Sequence, residues 1–72
     1  MNNELVKKIL ADNMRILRTK KRYSQEAIAE LANVGQNQIS GIENEHANPN
    51  LDTLIRIANA FEVPISELLT QK

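Results

Sequence analysis

Apolar residues recur at spacings of three and four along most of this 72-residue chain. That periodicity is typical of the buried face of an α-helix, whereas a half-buried strand would alternate apolar and polar residues. The first such stripe is formed by Val6, Leu10, Met14 and Leu17, and it is expected to be widened by Leu5, Ile9 and Ile16. The chain is therefore predicted to be all-α and to begin with a long amphipathic helix over about residues 4–20.

Four further helices are predicted from the capping and turn residues that follow. Ser24 and Asn50 have side chains that favour the N-cap position, and Pro64 suits the start of a helix. Asn33 and Gly35 favour a tight turn between two helices. The predicted helices span about residues 25–32, 36–44, 51–61 and 65–70. The fourth helix of the five is expected to bury Leu51, Leu54, Ile55, Ala58 and Phe61.

The composition excludes several classes of protein. There is no cysteine, so disulfide frameworks and thiolate metal sites are ruled out, and the single histidine, His46, cannot form a pair of zinc ligands. No apolar segment approaches the roughly 20 residues that span a bilayer, and the N-terminus lacks the basic-then-apolar order of a signal peptide. We expect one cytoplasmic domain over residues 1–72, without a metal, cofactor or small-molecule ligand.

Charge is distributed unevenly along the chain, although its formal net charge is zero. Residues 1–23 hold seven basic and two acidic side chains, whereas residues 24–72 hold two basic and seven acidic ones. A separation of this kind indicates either an anionic partner on one face or simply a solvated helix surface. The charge pattern alone leaves both interpretations open.

The segment from Gln25 to Ile42 meets the spacing requirements of a helix-turn-helix unit. Its two helices need a small residue where they cross and a turn residue that tolerates the left-handed conformation, and Ala29 and Asn33 stand at those places. An ordinary helical hairpin needs an apolar face but not these residues together. The apolar positions of the unit are occupied by Ile28, Ala32, Val34, Ile39 and Ile42. Residues 25–44 are therefore predicted to form a helix-turn-helix.

Several blocks of sequence resemble the Cro/repressor (XRE) family of helix-turn-helix regulators. They are Arg15–Arg18, Ser24–Ala29, Ile39–Glu43, Asn48–Leu54 and Ile57–Leu69. The block Ile39–Glu43 is also similar to that of restriction–modification controller proteins, a branch of the same family. The resemblance implies a compact five-helix, lambda-repressor-like DNA-binding domain. The chain departs from the family pattern where glycine is usual, at Arg22, Asn33 and Glu45, and where a Ser or Thr cap is usual, at Gly35.

The start of the third helix is expected to meet the bases. In a major-groove docking, the N-terminal residues of the second helix of the unit approach the base edges, and glutamine and asparagine pair with adenine through its N6 and N7. The resemblance implies base reading by Gln36, Asn37 and Gly41, although Gly41 has no side chain and would instead permit close approach of the backbone. The predicted base contacts are Gln36, Asn37, Gln38, Ser40 and Gly41.

Phosphate contacts are expected from polar residues at helix ends and from the basic end of the first helix. The resemblance implies this role for Gln25 and Asn44, and the full predicted set is Gln25, Asn44, Asn48, Lys21 and Arg22. The resemblance also implies a buried ion pair between Arg18 and Glu43. Two unrelated surface charges are the alternative to that pair.

A single helix-turn-helix unit covers few base pairs, so a homodimer on a palindromic operator of double-stranded DNA is expected. On the last helix, Ile65, Leu68 and Leu69 are either dimer-interface residues or the end of the monomer core. The expected function is that of a sequence-specific transcriptional regulator, and the alternative is an antitoxin-like module that binds a partner toxin. No cluster of side chains at catalytic spacing supports an enzyme.

Overall fold

Five helices follow one another along the chain, as the apolar spacing predicts. The computed structural model describes residues 3–72, so Met1 and Asn2, with which the expected domain begins, lie outside the described part. The helices are α1 (Asn3–Lys21), α2 (Gln25–Ala32), α3 (Gln36–Glu43), α4 (Leu51–Phe61) and α5 (Ser66–Leu69). The predicted helix ends differ from these bounds by one residue at most. None of the helices in this part of the chain is long and apolar enough to cross a membrane.

Side-chain caps determine where two of the helices begin. The Ser24 hydroxyl accepts a hydrogen bond from the Ala27 N–H at 3.0 Å, and the Asn50 carbonyl oxygen Oδ1 accepts one from the Thr53 N–H at 2.8 Å. Each bond satisfies one of the N–H groups that the first turn of a helix leaves without an intrahelical partner. The caps predicted at Ser24 and Asn50 are therefore confirmed. Gly35 precedes α3 without any side-chain cap.

Each of the first four helices is followed by a non-glycine residue in the left-handed conformation. These residues are Arg22, Asn33, Glu45 and Glu62, with φ angles of 61°, 57°, 64° and 62°. Asparagine tolerates this conformation, whereas arginine and glutamate are disfavoured there by about 1–2 kcal/mol each. The first three are the positions at which the family pattern has glycine, so the backbone keeps a glycine-like conformation and the larger residue carries the strain.

The core is built from one face of each helix. Its largest fully buried side chains are Phe61, Met14, Ile28, Ile39, Ile42, Ile57, Leu68 and Asn13. In α1 the predicted stripe is confirmed at Leu10, Met14 and Leu17, whereas Leu5 and Ile16 are 45% and 47% exposed. At about 100° per residue, these two lie too far around the helix from the stripe to reach the core. Their expected role in widening the buried face was wrong.

The buried face of α4 also differs from the expectation. Ala58 and Phe61 are buried as predicted, but Leu51 and Ile55 are 65% and 42% exposed, and Ile57 takes the central core position instead. The packing of α4 against α2 turns the side that carries Leu51 and Ile55 toward solvent. Counting apolar residues does not reveal this orientation because α4 has them on both sides.

The last helix completes the monomer core through a single residue. Leu68 is fully buried, so it is not available to a dimer interface, whereas Ile65 is partly buried against the core and Leu69 is 40% exposed. The buried Asn13 amide of α1 donates hydrogen bonds to the carbonyls of Leu68 and Thr70, both at 2.9 Å. These two bonds tie the end of the chain to α1.

Replacing Glu62 by glycine is expected to raise the free energy of unfolding by about 0.5–1 kcal/mol, because glycine adopts the left-handed conformation without a Cβ clash. The exposed pair between Glu62 and Lys21, at 3.9 Å, contributes little that would be lost. The matched control Glu30→Gly, on the exposed face of α2, is expected to lower stability by about 1 kcal/mol. Urea denaturation measures both variants, and a loss of stability in Glu62→Gly would contradict the assignment of strain.

Candidate nucleic-acid interface

The helix-turn-helix geometry is assembled from α2, its turn and α3. Ala29 is buried where α3 packs against α2, and Asn33 has the left-handed φ of 57° that turns the chain. The Val34 N–H closes this turn by donating to the Ala29 carbonyl at 3.0 Å. The apolar positions that the spacing selects in α2 and α3 are buried at Ile28, Ala32, Ile39 and Ile42, and Val34 packs partly against them. The sequence prediction of this unit is therefore confirmed.

The exposed start of α3 carries two predicted base readers. Gln36 and Asn37 are both exposed, and neither side chain has a hydrogen-bond or ionic partner among residues 3–72. The first N–H groups of a helix have no intrahelical acceptor, and Gly35 supplies no side chain to cap them. Amide side chains and free backbone donors thus point out from the same end of α3.

Gln38 and Ser40 are less available than the two residues before them. The half-buried Gln38 amide lies against α4, with Nε2 3.4 Å from the Thr53 hydroxyl. The half-buried Ser40 hydroxyl accepts from Asn44 Nδ2, also at 3.4 Å. Both predicted contacts therefore remain on α3 but already have protein partners.

The structure explains why a glycine occupies position 41, which the sequence alone did not. A Cβ added to this residue would lie 3.1 Å from the Ala47 Cβ, because the loop after α3 folds back over it. The Gly41 carbonyl accepts hydrogen bonds from the N–H groups of His46 and Ala47, at 2.8 and 3.0 Å. The glycine thus accommodates the protein's own loop, and the expected close approach of DNA to Gly41 stays a prediction.

Three elements converge on Glu43, the last residue of α3. Its carboxylate is buried and accepts two hydrogen bonds from the Arg18 guanidinium, from Nε at 2.7 Å and from Nη2 at 2.9 Å. Arg18 Nη1 also donates to the Tyr23 carbonyl at 3.0 Å, just before α2. The hydrogen bond with Glu43 raises the pKa of Arg18 against the opposing effect of burial, so the guanidinium remains charged. The ion pair implied by the resemblance is present.

Gln25 and Arg15 complete this arrangement. Gln25 Nε2 donates to Glu43 Oε1 at 3.2 Å, so the first residue of α2 is held against the end of α3. Arg15, one turn before Arg18, donates through Nη2 to the Glu43 backbone carbonyl. Glu43 therefore joins α1, α2 and α3.

The other predicted phosphate contacts are spread more widely. Asn44 and Asn48 are exposed at the end of α3 and in the following loop, and Arg22 is exposed after α1. Lys21 Nζ lies 3.9 Å from a Glu62 carboxylate oxygen, at the end of α4. The structure thus holds Gln25 against Glu43, the residue before Asn44, and Lys21 lies near an acidic side chain.

Sequence reasoning assigned no role to Arg15, Tyr23 or Thr53. Arg15 and Arg18 are three residues apart and therefore share a face of α1. This spacing was the feature of the sequence from which a shared partner for the two arginines could have been predicted. The Tyr23 ring stacks on Phe61 with centroids 6.2 Å apart, and the buried Thr53 faces Gln38. Nothing in the local sequence indicates the last two contacts, because they join residues far apart in the chain.

The comparisons with known proteins agree with this geometry. The family profile described as helix-turn-helix matches residues 14–68, which run from the second half of α1 into α5. The chain belongs to the helix-turn-helix family. A curated relative is the control protein C.SmaI of Serratia marcescens, which is 36% identical over 67 residues, covering 93% of this chain and 80% of that protein. The transcriptional regulator ImmR of Bacillus subtilis is 33% identical over 60 residues, but they span only 47% of its length.

Two solved structures have a similar fold. The hypothetical transcription factor NHTF from Neisseria has a TM-score of 0.90 and 28% identity, covering 99% of this chain and 82% of that one. The restriction–modification controller protein C.AhdI from Aeromonas hydrophila has a TM-score of 0.83 and 29% identity, and the match covers 86% of this chain and 94% of that one. The family and these relatives show a sequence-specific DNA-binding transcriptional regulator, of the kind that the sequence predicts.

Replacing Gly41 by alanine is expected to lower the free energy of unfolding by about 1 kcal/mol, because the clash with Ala47 outweighs the better helix propensity of alanine. The second-site change Ala47→Gly removes the clashing methyl group and is expected to restore the loss. Thermal denaturation of the two single variants and the double variant measures this coupling. Independent effects of the two substitutions would show that loop packing is not the reason for the glycine.

Proposed function

We propose that this helix-turn-helix regulator binds DNA as a homodimer, with α3 in the major groove and Gln36 and Asn37 reading base edges. The observation that carries the proposal is the exposure of these two amides, without protein partners in the described chain, at the uncapped start of α3. An amide group donates and accepts in the same plane, which matches the N6 donor and N7 acceptor of adenine.

The composition of α3 favours adenine over guanine at these positions. No arginine or lysine occurs between Gln36 and Glu43, and those are the residues that most commonly read guanine through O6 and N7. Gln38 and Ser40 are half-buried and already hydrogen-bonded, so they are secondary contributors. We therefore expect each half-site to contain adjacent A·T base pairs opposite the start of α3.

The far end of α3 supports backbone contacts. Asn44 directly follows Glu43, which binds the Gln25 amide, and the eight residues of α3 separate this end of the helix from the reading end by about 11 Å. Gln25 and Asn44 are both neutral, so they would fix the orientation of the domain on DNA without releasing many counterions. The exposed Asn48 and Arg22 are further candidates near the phosphate backbone.

Selection from a pool of random duplexes, using the purified full chain, tests this proposal. We expect recovery of a two-fold symmetric site with adenine-containing half-sites whose centres lie about one DNA turn apart. Failure to enrich any sequence over the starting pool would refute sequence-specific binding. Recovery of half-sites centred on guanine would refute the assignment of Gln36 and Asn37.

Alanine at Gln36 or Asn37 is expected to cost about 1–3 kcal/mol of discrimination at a single base step, because each amide reads one adenine. Binding to a duplex of unrelated sequence is expected to change little. Competition titrations with single-base variants of the selected site measure both quantities. Equal weakening on every sequence would instead place the altered residue on the phosphate backbone.

Two-fold symmetry would solve the problem of site size, since one α3 covers only a few base pairs. Because Leu68 is buried in the monomer, Leu69 is the exposed apolar residue of α5 that is available to a second copy. Ile65, which directly precedes α5, is partly exposed. This placement supports a dimer contact around Leu69.

Replacing Leu69 by glutamate is expected to dissociate the dimer, because two like charges would meet across the symmetry axis in place of apolar contact. The control Leu31→Glu alters another exposed leucine, on α2, and is expected to leave the oligomeric state unchanged. Sedimentation equilibrium measures the dissociation constant of each variant. If the Leu69→Glu variant remains a dimer, the interface does not include Leu69 and must lie on another surface.

A further inference from the structure

We propose that Glu43 is a positioning residue for DNA binding. Its buried carboxylate fixes the Gln25 amide so that the second N–H of Nε2 donates to a phosphate of the DNA. This role goes beyond the ion pair with Arg18, and it rests on the proposed function because it requires Gln25 to face the DNA backbone.

The acceptor on Glu43 determines which way the Gln25 amide faces. Glu43 Oε1 accepts from Arg18 Nη2 at 2.9 Å and from Gln25 Nε2 at 3.2 Å. A carboxylate has no proton to donate, so only the NH₂ end of the amide can face it, and the carbonyl end must turn away. The orientation of the amide therefore follows from the chemistry of its partner.

The second N–H of Gln25 Nε2 remains available once the first is committed to Glu43. Gln25 is the first residue of α2, where the free backbone N–H groups of the helix also point outward. A phosphate oxygen placed there would receive the side-chain donor together with backbone donors.

Holding the amide in advance lowers the entropy that DNA binding must remove. A solvated glutamine samples many rotamers, and ordering it opposes association. Gln25 is half-buried and already bonded, whereas Gln36 is exposed without a partner among the described residues. The Gln25 side chain is thus more ordered than the Gln36 side chain before DNA binds.

The negative charge of Glu43 does not prevent this arrangement. Arg18 contacts both carboxylate oxygens, so its positive charge lies directly against the negative one. The carboxylate is also almost completely buried, at 2% exposed for the residue. A phosphate therefore meets the amide of Gln25 rather than an uncompensated carboxylate.

A double-mutant cycle between Glu43→Asp and Gln25→Ala tests the inference. Aspartate keeps the charge that pairs with Arg18, but its shorter side chain withdraws the acceptor from Gln25. The probes are a duplex from the random-site selection and a duplex of unrelated sequence. We expect Gln25→Ala to weaken binding to both by about tenfold, Glu43→Asp to weaken it several-fold, and the double variant to bind no worse than Gln25→Ala.

Two outcomes of the cycle would overturn the inference. Additive losses would show that Glu43 acts through the fold alone, and tighter binding by Glu43→Asp would show that Glu43 competes with phosphate for the amide. Absence of binding by the unaltered protein to any duplex would instead refute the proposed function, which separates the two failures.

A second measurement avoids dependence on the stability of the Glu43 variant. Side-chain amide resonances of the unaltered protein are expected to show Gln25 more rigid than Gln36 before DNA is added. On binding, the Gln25 Nε2 proton that does not face Glu43 is expected to shift, while the other proton keeps its position. A Gln25 amide as mobile as that of Gln36 in the free protein would refute prior positioning.

Discussion

The buried carboxylate of Glu43 sets the geometry on which the rest of the interface depends. An unpaired carboxylate in this environment would be strongly destabilising, so the fold must bring a cation to it. Arg18 does this with two donors and uses a third on the Tyr23 carbonyl, so one guanidinium joins α1, the approach to α2 and the end of α3. The pair defines the orientation of these elements more than it adds to stability.

The position of α3 follows from contacts at both of its ends. Eight residues are too few for a helix to persist alone, so tertiary packing must hold it. Ile39 and Ile42 anchor its inner face in the core, and the loop after it returns over Gly41 close enough to crowd a methyl group there. The outer start of the helix, with Gln36, is left free because nothing in the described chain packs against it.

Local features of this fold could be predicted from the sequence, whereas the choice between two apolar faces could not. The caps at Ser24 and Asn50 and the turn at Asn33 depend on residues a few positions apart, so their chemistry is visible in the sequence. The burial of Ile57 instead of Ile55 depends on how α4 meets α2, which no local pattern contains. The partner of Gln38 was missed for the same reason, because Thr53 lies on another helix.

The charge of the chain explains why positioned neutral groups matter here. With a net charge of zero and no cation on α3, we expect weak attraction to a phosphate backbone and weak binding to unrelated sequence. Specific affinity must then come from directed hydrogen bonds, whose net strength is lowered by every rotamer that has to be ordered. A buried carboxylate that orders Gln25 before DNA arrives, as we propose, would raise affinity without adding a positive charge. Because phosphate contacts carry no sequence information, this contribution would strengthen binding to every duplex alike, and discrimination between sequences is left to the proposed base readers Gln36 and Asn37.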